Sequence, residues 1–182
     1  AITVIERQKF RVMQTIILGS DTNLSQFIAI TPNGEKAYVP QTRSNVTNTA
    51  LLFDTTVFPI VNVVDMQTLS LLVKKRITLD TADQPVNMPF ALVFSPDGKT
   101  LYLANAGSND ISVIDLNSNR GIGHINVGSN PRGIAITPDG KRIFVNNVLD
   151  GNLSVINTET LKLTDEINLT NIPLPKPILD GK

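Results

Sequence analysis

The region between Leu92 and Asn157 contains one motif twice, and this repeat limits the fold more than any other feature of the chain. The first copy consists of a Pro-Asp-Gly turn at 95–99, an apolar run at 101–105 and a second run at 111–115. Each part returns 42 residues later, at 137–141, 143–147 and 153–157. A period of this length, built from short strands and turns, is typical of β-propeller blades. The sequence therefore predicts an all-β fold.

Two further segments extend the repeat toward the N-terminus. Pro32-Asn33-Gly34 supplies a third copy of the turn, because proline and Asn-Gly favour the central positions of tight turns. Residues 11–18 resemble the last strand of a later repeat. We therefore predict a partial β-propeller of about three four-stranded antiparallel blades within residues 1–170. Its expected parts are the last strand of a preceding blade at 11–18 and blades at about 27–79, 90–127 and 132–169.

Two loop expansions fall on the same side of the predicted blades. Residues 42–60 contain 14 more residues than the matching segments of the later repeats, and residues 80–89 lengthen the next connection between blades. Both loops belong to one rim of a propeller, whereas the Pro-Asp-Gly turns of the opposite rim stay short. Long loops on a rigid scaffold often carry binding residues. The partner-binding residues predicted on this loop face are Leu51, Leu52, Phe53, Phe58, Asp83, Met88 and Arg132.

The apolar runs that end in asparagine give the repeat a family resemblance. Through Tyr102-Leu103-Ala104-Asn105, Phe144-Val145-Asn146-Asn147 and the Pro-Asp-Gly turns, residues 11–169 resemble the YVTN β-propeller repeat family. The first repeat departs from this pattern at Tyr38-Val39-Pro40-Gln41. The resemblance implies a periplasmic, extracellular or cell-surface location, as for surface-layer proteins and the propeller portions of some redox enzymes.

Three blades and one additional strand cannot close a ring, since closed propellers typically have 4–8 blades. An open array would leave two apolar blade faces in contact with water. We therefore expect the ring to be completed by another chain, by a second copy of this chain, or by sequence outside these 182 residues.

Composition excludes several kinds of site. Lys plus Arg and Asp plus Glu number 16 each, so net charge does not favour nucleic acid or an anionic membrane surface. No apolar run reaches the roughly 20 residues of a membrane span. The chain has no cysteine and a single histidine, His124, so it contains neither a Cys-x-x-Cys-His haem attachment motif nor a multi-histidine metal site. No catalytic and no metal-binding residues are predicted.

The repeated polar residues have a structural interpretation. Aspartates at equivalent positions are expected to bond backbone groups in turns; they are Asp65, Asp97, Asp115 and Asp139. The asparagine-rich set around Asn105 and Asp110 could offer oxygen ligands, but it lacks the spacing of a calcium loop. The basic run at 74–76 is predicted to lie in a solvated outer edge strand.

The C-terminal segment differs from the repeats. Residues 171–182 are predicted to form a proline-rich linker or the start of a following domain, because three prolines do not fit a central strand. Residues 175–182 resemble the segment that precedes a di-haem c-type domain in some propeller–cytochrome fusions.

These observations favour a non-catalytic scaffold that binds a protein partner through the loop face. One alternative, from the C-terminal resemblance, is the propeller part of a c-type haem oxidoreductase of the di-haem peroxidase or methylamine-utilisation kind, acting in electron transfer. Another is a surface-layer structural protein. No cofactor is expected within this chain, and haem c would belong to a downstream domain or a partner. Whether the chain is part of an enzyme stays open on sequence alone.

Overall fold

A computed structural model describes residues 1–44, 57–79, 84–170 and 178. The described residues form four antiparallel sheets that follow one another along the chain. This architecture confirms the predicted all-β, partial propeller. The predicted linker at 171–182 lies outside the described residues except for Ile178.

The N-terminal sheet is a two-stranded hairpin of β1 (Ile2–Glu6) and β2 (Arg11–Ile16). The next sheet, the first blade, extends from residue 22 to residue 78. Its strands are β3 (Thr22–Asn23), β4 (Ala29–Ile30), β5 (Lys36–Ser44), β6 (Val57–Asp65), β7 (Ser70–Leu71) and β8 (Ile77–Thr78).

The second and third blades each contain four consecutive strands. The second is formed by β9 (Pro89–Phe94), β10 (Thr100–Asn105), β11 (Asp110–Asp115) and β12 (Arg120–Asn126). The third is formed by β13 (Pro131–Ile136), β14 (Arg142–Asn147), β15 (Asn152–Asn157) and β16 (Lys162–Asn168). The first strands β9 and β13 are in close contact, whereas the fourth strands β12 and β16 barely meet. The first strands therefore lie on the inner side and the fourth strands on the outer side.

The N-terminal hairpin has the geometry of the outer half of a blade. Ile2 lies opposite Ile16 and Glu6 opposite Arg11, as Ile111 lies opposite Ile125 and Asp115 opposite Arg120. Both pairs contain a one-residue β-bulge at the same step. The sequence analysis predicted only one strand here, at 11–18, and did not predict β1.

The first blade corrects two predicted features. Residues 57–60 belong to β6 rather than to a loop, because they pair with the C-terminal end of β5 and lengthen that hairpin beyond the other blades. The basic run at 74–76 does not lie in an edge strand, since Val73–Lys75 form a 3-10 helix between β7 and β8. Leu71 pairs with Val64 and Ile77 pairs with Val61. The outer segment therefore advances by six residues while β6 advances by three. The helix takes up the difference.

The core lies between neighbouring blades. The first and second blades bury Tyr38, Val63, Leu92, Leu101 and Leu103 in one cluster, in which the rings of Tyr38 and Phe94 meet edge to face at 5.2 Å. The second and third blades bury a matching cluster. Each fully buried aliphatic side chain contributes about 1.5–3 kcal/mol. Alternate residues of each strand face opposite neighbours, which explains why both faces of the second blade are apolar.

The repeated aspartates form turns, as predicted. Asp97 accepts hydrogen bonds from the Ser95 hydroxyl and the Lys99 amide, at 2.6 and 3.1 Å. Asp115 accepts bonds from the Asn117 amide and the Ser118 hydroxyl. The hydroxyl bond to each carboxylate is the main cause that lowers its pKa. These carboxylates therefore stabilise the Pro-Asp-Gly side and the outer turns.

Candidate functional site

The structure describes three of the seven predicted loop-face residues. Leu51, Leu52, Phe53 and Asp83 lie outside the described residues. Phe58 is half-buried in β6, opposite Arg43 of β5, on the part of the hairpin that extends beyond the other blades. Met88 and Arg132 lie at the inner rim of the same face, at or just before the first strands of the second and third blades. That these residues bind a partner remains a prediction.

The inner rim is shaped by two β-bulges at equivalent positions. In the second blade Pro89 and Ala91 pair with consecutive residues of β10, so Phe90 is the extra residue. In the third blade Pro131 and Gly133 pair with consecutive residues of β14, so Arg132 is the extra residue. A bulge changes the direction of a side chain and often occurs next to a binding site. Both bulges therefore set the direction of a large side chain at the rim.

Phe90 and Arg132 meet across the boundary between the two blades. The guanidinium carbon of Arg132 lies 5.1 Å from the centre of the Phe90 ring, which is the geometry of a cation–π contact. The Arg132 Nε donates a hydrogen bond to the Asn130 side-chain oxygen at 2.7 Å. Asn130 is itself held in place, because its backbone N–H donates a hydrogen bond to the Asn109 side-chain oxygen at 2.9 Å. The exposed guanidinium is thus oriented before any ligand arrives.

The residue two positions before each bulge has left-handed backbone geometry. Met88 and Asn130 have φ angles of 52° and 56°, and Leu24 occupies the equivalent position of the first blade with a φ of 55°. Asparagine tolerates this geometry, whereas leucine and methionine adopt it rarely and at a cost in free energy. The relative exposures of Leu24 and Met88 are 53% and 38%. The chain therefore holds two large apolar side chains at the rim instead of burying them.

A shallow cleft lies between these two apolar residues, where the first and second blades meet. Its lining includes Leu24, Gln26 and Thr42 from the first blade together with Met88 and Phe90 from the second. The loop-face inner rim, defined here as Leu24, Gln26, Met88, Phe90 and Arg132, therefore combines an apolar surface with one oriented cation. Such a surface suits a partner that presents an apolar group beside a carboxylate.

The extended hairpin of the first blade is fixed by a charged network. Asp21 accepts a hydrogen bond from the Arg43 Nε at 2.5 Å and lies 3.7 Å from an Arg76 guanidinium nitrogen. The hydrogen bond from Arg43 is the main cause that lowers the pKa of Asp21. Arg76 also donates to the buried side chain of Asn62 at 2.9 Å. The 3-10 helix directly precedes Arg76 and so places its guanidinium beside Asn62 of β6.

Buried amides join the second and third strands of each blade. The Asn105 side-chain nitrogen donates to Asp110 at 2.6 Å and to the Ser112 hydroxyl at 2.8 Å. In the third blade Asn147 makes the same pair of bonds, to Asn152 and Ser154. The first blade replaces this group with Gln41 and Asn62. The side-chain nitrogens of Asn105 and Asn147 are therefore bonded within the blade, whereas their side-chain oxygens are buried without a hydrogen-bond partner among the described residues. Because no group of three or more His, Cys, Asp or Glu side chains surrounds them in the described part of the chain, we interpret these amides as structural.

A larger cavity, of about 530 Å³, opens on the Pro-Asp-Gly side between the first and second blades. Its polar lining includes Thr31, Asn33 and Asp97. The side chains of these residues already hold their turns, since Thr31 bonds Asn33 and Asp97 bonds Ser95. These polar side chains of the cavity therefore serve the turns that carry them.

The described residues contain no group of three or more His, Cys, Asp or Glu side chains that could hold a metal ion. His124 lies opposite Ser112 on β12, the outermost strand of the second blade. Within the part of the chain that the structure describes, no helix has the length and hydrophobicity of a membrane span.

The comparisons with known proteins connect this architecture to haem proteins. A family model described as the cytochrome D1 heme domain matches residues 74–177, which is more than half of the chain. The chain belongs to the cytochrome D1 heme domain family. The matched region contains the second and third blades and the bulges that carry Phe90 and Arg132. A search of curated proteins finds no match.

Solved structures are similar to parts of the chain. Hydrazine synthase from Kuenenia stuttgartiensis is 27% identical over 81% of this chain, with a TM-score of 0.61. The present chain spans 36% of that protein chain. The dihydro-heme d1 dehydrogenase NirN, solved in complex with DHE, is 25% identical over 59% of this chain and 22% of its own, with a TM-score of 0.47.

The family name implies haem, so the iron ligands that the described residues could offer matter. Proteins hold haem iron through His, Cys, Met or Tyr side chains. His124 is on an outer strand, and Tyr38 and Tyr102 are buried between blades, where burial raises the pKa of their hydroxyls. At the loop-face inner rim the only such side chain among the described residues is Met88. The described residues therefore place no histidine, cysteine or tyrosine ligand for haem iron at the loop-face inner rim.

The sequence analysis did not identify Phe90, which lines the cleft with Met88 and contacts Arg132, or Asn130, which bonds Arg132. A signal was present, because Phe90 occupies the same repeat position as Arg132, five residues before the Pro-Asp-Gly serine or threonine. The bulges gave no such signal, since they depend on backbone pairing and not on a residue type that the repeat fixes.

Proposed function

We propose that the chain is the propeller scaffold of a haem-dependent oxidoreductase in which the iron is ligated by residues outside the described parts of this chain. The family match supports the haem connection, and the outer-strand position of His124 carries the proposal that the ligand lies elsewhere. The similarity to hydrazine synthase, whose matched chain is much longer, is consistent with a propeller that serves a larger enzyme. The proposed repeat type is YVTN, and the proposed location is the periplasm or the cell surface.

His124 provides the test of this assignment. In the full-length protein or its native complex, His124→Ala should leave the haem content and the visible absorption maxima unchanged, because an outer-strand imidazole does not reach the inner side. Pyridine haemochrome assay and an absorption spectrum measure both quantities. Loss of haem or a displaced Soret band in the variant would reject the proposal, as would a full-length protein without haem absorption.

We further propose that the loop-face inner rim binds the protein partner or neighbouring domain that carries the redox centre. The oriented Arg132 supplies charge recognition, and Met88 and Phe90 supply apolar contact, which is the composition of an interface hot spot. Arg132→Ala and Phe90→Ala should each weaken partner binding by about tenfold or more. Arg120, an exposed arginine at the start of β12, gives a matched control.

The binding experiment compares these variants by calorimetric titration of the separately purified haem-bearing domain. Arg120→Ala should bind as the wild type does, because it removes the same charge from the outer side of the second blade. Equal losses for Arg120→Ala and Arg132→Ala would show that net charge, not the rim, controls binding. Unchanged binding in Arg132→Ala and Phe90→Ala would refute the proposal that the loop-face inner rim binds the partner.

A further inference from the structure

One face of the first blade is covered over its second and third strands, β5 and β6, and is open beside its first strand. On the face of the second blade that meets the first, Leu92 and Phe94 have relative exposures of 2% and 6%. Ile28 and Ile30 occupy the same repeat positions in the first blade, and their exposures are 46% and 52%. Equivalent side chains therefore differ in exposure because none of the described residues covers the first strand of the first blade.

The part of the same face that lies on β5 and β6 is already covered. Ala37, Val39 and Val64 of the first blade are buried against Ile16 and Leu18, at the end of the N-terminal hairpin. The hairpin therefore packs on the first blade as the outer strands of a blade pack on the next blade. What the described residues do not supply at this position is the pair of inner strands.

The space beside the hairpin is open to solvent and largely apolar where those strands would lie. A groove of about 460 Å³ is lined by Ala1 and Ile2 on one side and by Phe27, Ile28 and Val39 on the other. Among the described residues β1 pairs only with β2, so its second backbone edge is open. In the second blade the equivalent edge, that of β11, is paired along its whole length with β10.

We propose that this groove binds a β-hairpin of the propeller repeat, with its second strand paired antiparallel to β1 and its apolar face packed on Ile28 and Ile30. Each backbone pair has a template in the second blade, where Leu101 lies opposite Ile114 and Leu103 opposite Ser112. The corresponding pairing partners on β1 are Ile5 and Thr3, because the bulge and register of the N-terminal hairpin match those of β11 and β12. The occupant is a hairpin from further propeller sequence, and it makes a fourth complete blade.

A second copy of this chain does not meet the requirement. Its inner hairpins are already hydrogen-bonded to their own third strands, as β9 and β10 are to β11. To donate one of them, the second copy would have to open a blade. Burial of the groove by a folded second copy is therefore the main competing result.

An extended chain tests the proposal directly. Residues 89–109, which contain the inner hairpin of the second blade and its loop, are fused ahead of Ala1, because Ala1 occupies the repeat position of Asp110. A completed blade should raise the midpoint of thermal unfolding by roughly 5 °C or more, given the size of the chain. The chain contains no tryptophan, so Phe27→Trp in both the extended and the unextended chain places a single indole in the groove. Its emission should move to shorter wavelength in the extended chain.

Matched variants identify the cause of any change. A control extension carries Val93→Asp and Tyr102→Asp within the added copy only, because these positions would face the first blade. It should lose the gain in midpoint. In the extended chain Ile28→Asp should also lose the gain, whereas Ile122→Asp should keep it, since Ile122 is 56% exposed on the outer strand of the second blade.

The proposal fails if the intact and control extensions have the same midpoint, or if neither differs from the unextended chain. It also fails if the unextended chain is a stable dimer by native mass spectrometry in which the indole introduced by Phe27→Trp already emits as a buried group. None of these measurements involves haem. The proposal therefore stands or falls independently of the function proposed above.

Discussion

The second and third blades have nearly the same motif but very different surroundings. Tyr102 and Ile111 of the second blade are 4% and 0% exposed, because the third blade covers them. Phe144 and Leu153 occupy the same repeat positions in the third blade and are only partly buried, since no described element covers that face. Burial in this fold is therefore decided by the neighbouring blade, and the same residue type has a different energetic role at each position in the array.

The largest expected difference between the blades concerns this covered face. Ile111→Ala should lower the free energy of unfolding by about 4 kcal/mol, because the side chain is fully buried and its removal leaves a cavity. Leu153→Ala deletes a similar side chain from the equivalent position and should cost about 1 kcal/mol. Urea unfolding followed by circular dichroism measures both values.

Similar losses from the two substitutions would contradict the comparison. They would mean that another molecule or another part of the chain covers the third blade in solution. Repeating the unfolding of Leu153→Ala over a range of protein concentrations distinguishes these cases, because only an intermolecular cover depends on concentration.

A smaller difference is expected at the buried amides. Asn105→Ala removes the donor to Asp110 and Ser112, which are both buried, and should cost about 3 kcal/mol because a carboxylate loses a partner. Asn147→Ala leaves the neutral Asn152 and Ser154 and should cost about 2 kcal/mol. The measurement is again the free energy of unfolding, and the double variant Asn105→Ala with Asp110→Ala serves as control. If that double variant were less stable than Asn105→Ala, the charge of Asp110 would not be the reason for the larger loss of stability in Asn105→Ala.

The smallest difference concerns pH. Asp115 caps the outer turn of the second blade, whereas Asn157 makes the equivalent bonds in the third. Because the hydrogen bond from Ser118 lowers the pKa of folded Asp115, its stabilisation is present above the unfolded pKa and is lost as pH falls through the folded pKa. The urea midpoint of Asp115→Asn should therefore fall less between pH 6 and pH 3 than that of the wild type. An identical fall in both proteins would show that this turn contributes nothing to the pH dependence.

The sequence predicted the parts of the fold that repeat. Turns at Pro96-Asp97-Gly98 and alternation in β11 require particular residue types, so they can be recognised without coordinates. The strand β1 carried the same signal, since Ile2-Thr3-Val4-Ile5-Glu6 parallels Ile111-Ser112-Val113-Ile114-Asp115. It was missed because the repeat was traced from its Pro-Asp-Gly turns, whereas β1 carries only the strand pattern.

The unpredicted features depend on contacts that are distant in sequence. The 3-10 helix at Val73–Lys75 forms where Arg76 reaches Asn62 and Asp21, and no local pattern contains that information. The candidate site was predicted only in part for the same reason. Met88 and Arg132 could be placed on the loop face from loop length, but their connection through Phe90 depends on two bulges and on the approach of two blades.

The bulge shared by the outer strands also affects how the molecule associates. Met13, Ile122 and Thr164 are the extra residues in β2, β12 and β16. Each twists its outermost strand, so that a flat strand from another molecule cannot pair along the whole edge. Charged residues such as Arg120 and Lys162 at the starts of β12 and β16 oppose the same pairing. Growth of amyloid-like sheets from these outer edges is therefore disfavoured, even though the array has open apolar faces.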